Sequence, residues 1–104
     1  MYLIQLLLPL YDNDKQAFPR DDFDEVRKQL ADKFGGVTAF QRSPAVGLWK
    51  EDGDSVNRDD VVMFEVMTDE LDENWWRDYG IRLRKKFRQD ELIIRAMNAT
   101  QLGG

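Results

Sequence analysis

GVTAFQRSPAVGLWKEDGDSVNRDDVVMFEVM, residues 36–67, reads as one long β-hairpin. Alternating or apolar runs stand at both ends, and Asp52-Gly53 or Gly53-Asp54 supplies a turn at the tip. Residues 37–42 alternate until Ser43-Pro44, where proline has no N–H to give a ladder. An edge strand tolerates that interruption and a central strand does not. Residues 46–50 resume the strand as an arm carrying Trp49, and residues 60–67 return as a strongly β-forming central strand.

Outward from the hairpin, a helix is predicted on each side. Residues 22–34 carry an apolar stripe of Phe23, Val26, Leu30 and Phe34. Asp21 or Asp22 is placed to cap this helix and Gly35-Gly36 to stop it. A second helix is predicted over residues 69–88, with Leu71, Trp75, Tyr79, Leu83 and Phe87 recurring every four residues and Trp76 flanking them. It opens acidic and closes basic, which complements the helix dipole, so the basic cluster reads as a solvated helix end. Gly80 in its interior costs about 1 kcal/mol against alanine and implies a bend or close packing. Beyond the helices lie two more strands, YLIQLLL at residues 2–8 and ELIIRAM at residues 91–97. Residues 9–20 form a long turn-rich loop. The order is β-α-β-β-α-β, an α+β domain over residues 1–98 with a C-terminal tail at 99–104.

Composition narrows the chemistry. At 104 residues there is room for one core. The net charge of −5 opposes a general nucleic-acid or membrane-surface role. The chain has no cysteine and no histidine, which removes thiol nucleophiles, disulfides, imidazole bases and the usual zinc and haem ligands. No metal and no cofactor is therefore expected. The opening apolar run lacks a basic flank and is too short to span a membrane, so a cytoplasmic protein is expected. Asp12-Asn13-Asp14 lacks the glycine and glutamate of a calcium loop, and Gly103-Gly104 reads as a frayed tail.

Right-handed crossovers give the sheet order 4-1-3-2, all neighbours antiparallel, with both helices on one face. Alternation then sends Tyr2, Ile4, Leu6, Leu8, Val62, Phe64, Val66, Leu92, Ile94 and Ala96 to the helix side. The open face receives Leu3, Leu7, Phe40, Val61, Met63, Met67, Ile93 and Met97, and it is too apolar to stand in water alone. One polar residue per strand interrupts it: Arg95, Gln5, Glu65 and Arg42. A buried charge needs a partner, so these four are the candidate binding residues.

The order of elements and the apolar open face resemble the ferredoxin-like fold, in particular the dimeric α+β barrel group. Gly36-Val37-Thr38, Gly47-x-Trp49, and Tyr79 followed by Phe87-Arg88-Gln89 look like small bacterial domains of unknown function. The resemblance implies a homodimer pairing sheet against sheet and brings no established reaction. Haem-degrading relatives of that group need a histidine that this chain lacks. Acylphosphatases need a glycine-rich phosphate loop, and residues 9–20 contain no glycine. RNA-recognition domains need aromatic and basic residues where residues 61–67 offer neither in the required pattern.

Three functions follow from this reading. The first is a homodimeric module binding an anionic or carbonyl small molecule through Gln5, Arg42, Glu65 and Arg95. The second is a cofactor-independent enzyme, monooxygenase- or isomerase-like, with Glu65 as general base, its pKa raised by apolar neighbours, and an arginine stabilising the developing charge. The third is a structural interaction domain whose Trp49 arm clasps a partner.

Overall fold

The computed structural model describes residues 1–42 and 60–103. The hairpin tip, Pro44 and the Trp49 arm lie outside the described residues. Six elements follow in order: β1 (Tyr2–Pro9), α1 (Arg20–Phe34), β2 (Thr38–Arg42), β3 (Val61–Thr68), α2 (Glu73–Lys86) and β4 (Ile93–Asn98). The sheet runs β2-β3-β1-β4 with every neighbouring pair antiparallel. Read from the other edge this is the expected 4-1-3-2, a ferredoxin-like α+β fold.

The core lies between sheet and helices. Ile4, Leu6 and Leu8 of β1 and Phe64 and Val66 of β3 meet Phe23, Val26 and Leu30 of α1 and Trp76, Tyr79 and Leu83 of α2. The expected alternation holds, because β residues two apart share a face. Phe18, from the loop after β1, is also buried, and its ring meets Phe87 edge-on at 5.0 Å. That loop is folded back on itself, with Tyr11 bridged to Ala17 and Phe18 N–H bonded to the Leu10 carbonyl.

Element ends depart from the sequence reading where local hydrogen bonds compete. α1 begins at Arg20 behind Pro19, with no side-chain cap. The proline's φ of −59° delivers the chain into the helix early, so Asp21 and Asp22 occupy the first turn instead of capping it. At the other end Gly35 closes the helix with φ +84°, as its lack of a Cβ permits.

α2 starts at Glu73 rather than 69, because Asp72 Oδ1 accepts from Trp75 N–H at 3.1 Å and thereby sets the cap. It ends at Lys86, before Arg88 takes a φ of +53°. Its buried line is Trp76, Tyr79, Gly80 and Leu83, with Trp75 only half-buried at the side. Lys86 at its basic end reaches Glu25 and Asp22 of α1, so that residue ties the helices together.

β4 spans residues 93–98 rather than 91–97. Ala96 stands opposite Ile4 on the helix side as expected, yet it is exposed. A groove of about 310 Å³ runs there between α2 and β4, lined by Trp76, Gly80, Ile94 and Ala96.

Candidate functional site

The antiparallel ladder places side chains on the open face in rows across the strands. One row is polar throughout: Thr38 stands opposite Glu65, Glu65 opposite Gln5, and Gln5 opposite Arg95. Gln5 joins its neighbours. Its Nε2 donates to Glu65 Oε2 at 2.6 Å, and its Oε1 accepts from Arg95 Nε at 2.7 Å. An amide with one donor end and one acceptor end thus links a cation to an anion across three strands.

Apolar rows flank this relay on both sides. Phe40, Met63, Leu7 and Ile93 form one, and Met67, Leu3 and Met97 form the other. Four of these seven are well exposed: Ile93 at 53%, Met67 at 47%, Phe40 at 41% and Met97 at 39%. Met63 differs, being 4% exposed.

Of the four residues singled out from the sequence, Gln5, Glu65 and Arg95 stand together. Arg42 does not join the row. Its backbone pairs with Val61, two rows further along β2, and its side chain lies outside the described residues. Thr38 occupies the β2 place in the polar row. Alternation along β2 gives Thr38 the same face as Phe40, but only the β2–β3 register sets it opposite Glu65.

A cavity of about 830 Å³ opens where this face meets the loop after β1. Leu7, Val61 and Ile93 contribute apolar walls, and Asp12, Lys15 and Glu91 contribute charge. Asp12 is already engaged: Oδ1 accepts from Asp14 N–H and Gln16 N–H, each at 2.8 Å, and Oδ2 lies 3.3 Å from Arg88 Nη2. The Gln16 N–H chiefly, with the Asp14 N–H and Arg88, holds its carboxyl below the usual range against the opposing effect of desolvation. Asp12 therefore organises the loop and is poorly suited to act as a base. Glu65, by contrast, has one carboxylate oxygen with no partner among the described residues. No group of three or more His, Cys, Asp or Glu side chains is arranged to hold a metal ion among the described residues. No helix there is long and apolar enough to cross a membrane.

No protein-family model and no curated protein matches this chain. Among solved structures, a phage SAM lyase in complex with S-methyl-5′-thioadenosine is similar, with a TM-score of 0.54 and 15% identity over 92% of this chain and 79% of that one. A likeness at that identity shows the shared fold.

Proposed function

We propose that this chain is a homodimeric small-molecule-binding domain whose ligand, anionic or carbonyl-bearing, is held at the Arg95–Gln5–Glu65 row of the open sheet face. The carrying observation is the hydrogen-bonded relay set between two apolar rows. Apolar walls around a few convergent polar groups are the usual makeup of a ligand site. The adjoining 830 Å³ cavity gives room for a ligand of that kind. Arg95 supplies donors for a carboxylate or carbonyl oxygen, and Glu65 supplies an acceptor for an amine, a hydroxyl or a cationic centre.

The solved structure of similar fold holds a thioether nucleoside, so S-methyl-5′-thioadenosine and S-adenosylmethionine belong among the first probes, beside a panel of small carboxylates. Thermal melts of the wild type, Glu65→Gln and Arg95→Gln with each probe test the proposal. A ligand at 100 times its Kd raises stability by about 2.7 kcal/mol, which moves Tm by roughly ten degrees in a domain this size. The expected result is such a rise in the wild type that either substitution removes. A rise that survives both substitutions places the ligand elsewhere.

A second reading is an enzyme in which Glu65 takes a proton from the bound ligand. The open oxygen of Glu65, in a polar row flanked by apolar ones, favours it. Product formation by the wild type, lost in Glu65→Gln while ligand binding persists, would separate it from binding alone.

A further inference from the structure

The polar row has a polarity of its own: across the sheet it runs Thr38, Glu65, Gln5, Arg95. On one side of Gln5 stands an anion and on the other a cation, each one strand away. We infer that a second copy of this chain covers the open face on a two-fold axis lying along β1 over Gln5, so that Arg95 of each copy pairs with Glu65 of the other. The inference rests on the homodimeric reading above and adds to it the axis and the residue that each copy contributes to the other's site.

Two sheets packed face to face are related by a two-fold axis lying between them, and the interface is self-complementary. The rows admit two simple choices. An axis along the polar row would set Arg95 on Arg95 and Glu65 on Glu65, and like charges facing each other across a desolvated interface are strongly disfavoured. An axis along β1 exchanges β3 with β4. It sets Glu65 beneath the second copy's Arg95, and that copy's Glu65 beneath Arg95. Gln5 then lies over Gln5. The apolar rows match under the same operation: Leu3 and Leu7 meet their own copies, Ile93 lies over the buried Met63 position, and Met67 meets Met97.

Facing sheets lie about 10 Å apart, a gap that an arginine and a glutamate reaching toward one another can close. Capacity for the pairing is present on both residues. Glu65 uses only Oε2 toward Gln5, and Arg95 uses only Nε, so one carboxylate oxygen and both terminal amino groups have no partner among the described residues. Dimerisation would thus turn each three-residue relay into a closed ring of charge with a protomer on each side, and a ligand at one row would touch both copies. The exposure of Ile93, Met67 and Met97 is the apolar area that such a partner removes from water.

Charge reversal in the full 104-residue chain tests this directly. Glu65→Arg alone would face Arg95 of its partner with a second cation, and Arg95→Glu alone would face Glu65 with a second anion. Each is expected to weaken the dimer by about 100-fold or more in sedimentation equilibrium. An equimolar mixture of the two restores opposite charges at both contacts, and a heterodimer is expected at wild-type concentrations. Thermal melts establish that each variant is folded. The gentler Glu65→Gln and Arg95→Gln pair, each expected to cost about 10-fold in dimer Kd and the double variant no more than about 30-fold, gives the same answer through non-additivity. Reversal variants that dimerise as the wild type does, or a mixture that stays monomeric beside a dimeric wild type, would overturn the pairing and leave the homodimer standing. A wild type that is monomeric throughout would overturn both.

Discussion

Replacing Glu65 in two ways separates what its charge contributes from what its hydrogen bond contributes. Gln5 Nε2 donates to Glu65 Oε2 at 2.6 Å, and Gln5 is in turn held by Arg95 at 2.7 Å. In Glu65→Gln the new amide still offers an oxygen to Gln5, so the bond survives as a neutral one. A hydrogen bond to a charged group contributes about 1.5–3 kcal/mol and a neutral one about 0.5–1.5, so the charge accounts for about 1 kcal/mol. In Glu65→Leu the acceptor itself is gone. Gln5 is half-buried, so water partly replaces the lost acceptor, and the cost is about 1–2 kcal/mol before the added apolar area offsets part of it. Urea unfolding at pH 7, followed by tryptophan fluorescence, measures both changes, at protein concentrations above and below the midpoint of the proposed dimer. The expected order of stability is wild type, then Glu65→Gln, then Glu65→Leu. The gap to the wild type should widen at the higher concentration if the proposed second copy withdraws water from the row. A Glu65→Leu protein more stable than the wild type at both concentrations would refute the reasoning, because the relay would then be no part of what holds this face.

Other substitutions test the remaining geometry. Met63 is buried within a single chain, so Met63→Lys strikes the fold itself. Ile93→Lys, at a half-exposed position, is the cleaner probe and should abolish the dimer in light scattering while moving the monomer's melting point by less than about 4 °C. A Cβ on Gly80 would lie 3.2 Å from Ile94 Cδ1, the movable end of a half-buried side chain on an edge strand. Gly80→Ala should therefore be neutral or stabilise by up to about 1 kcal/mol through helix propensity, whereas Gly80→Leu should destabilise by about 1–3 kcal/mol in the same urea assay. Tyr79 is pushed up to about 12 by burial, aided by Glu25 and opposed by Arg82. A folded-state pKa above the unfolded value of 10 favours the fold fully below pH 10, and that contribution is lost as pH rises from 10 toward 12. Tyr79→Phe should flatten that alkaline decline and, by removing the 2.8 Å bond to Gln29 Oε1, cost about 1 kcal/mol at pH 7; an unchanged alkaline limb would show that Tyr79 does not set it.

The identity and order of the elements were legible because their causes are local. Short apolar runs at residues 2–8 and 61–67 mark strands, whose side chains alternate between two faces, and spacing of three and four in Phe23, Val26 and Leu30 marks a helix face, all without any knowledge of neighbours. The same alternation correctly sent Leu3, Gln5, Glu65 and Arg95 to the open side. It also made Gln5 and Glu65 conspicuous, since each is a polar residue in an apolar run. What alternation cannot supply is position along the face. Alternation assigns Arg42 and Thr38 to one side of the same strand, and only the pairing of β2 with β3 decides that Thr38 stands opposite Glu65. Register is a non-local property of two strands that meet across intervening chain, so no window of sequence contains it.

The helix limits show the same division. A stripe repeating every four residues pointed to Trp75, but a helix of 3.6 residues per turn rotates away from such a stripe, and Trp76 rather than Trp75 is the one that enters the core. Phe18 sits in a run of turn-forming residues that announces a surface loop, and it becomes core only because Phe87, from the far end of α2, lies 5.0 Å away. The sequence by itself determined which residues prefer strand or helix and which side each presents, since those preferences act between near neighbours along the chain. The tertiary structure alone decided which polar groups touch, because the relay from Arg95 through Gln5 to Glu65 joins residues 90 and 60 positions apart, brought within hydrogen-bonding distance by strand pairing.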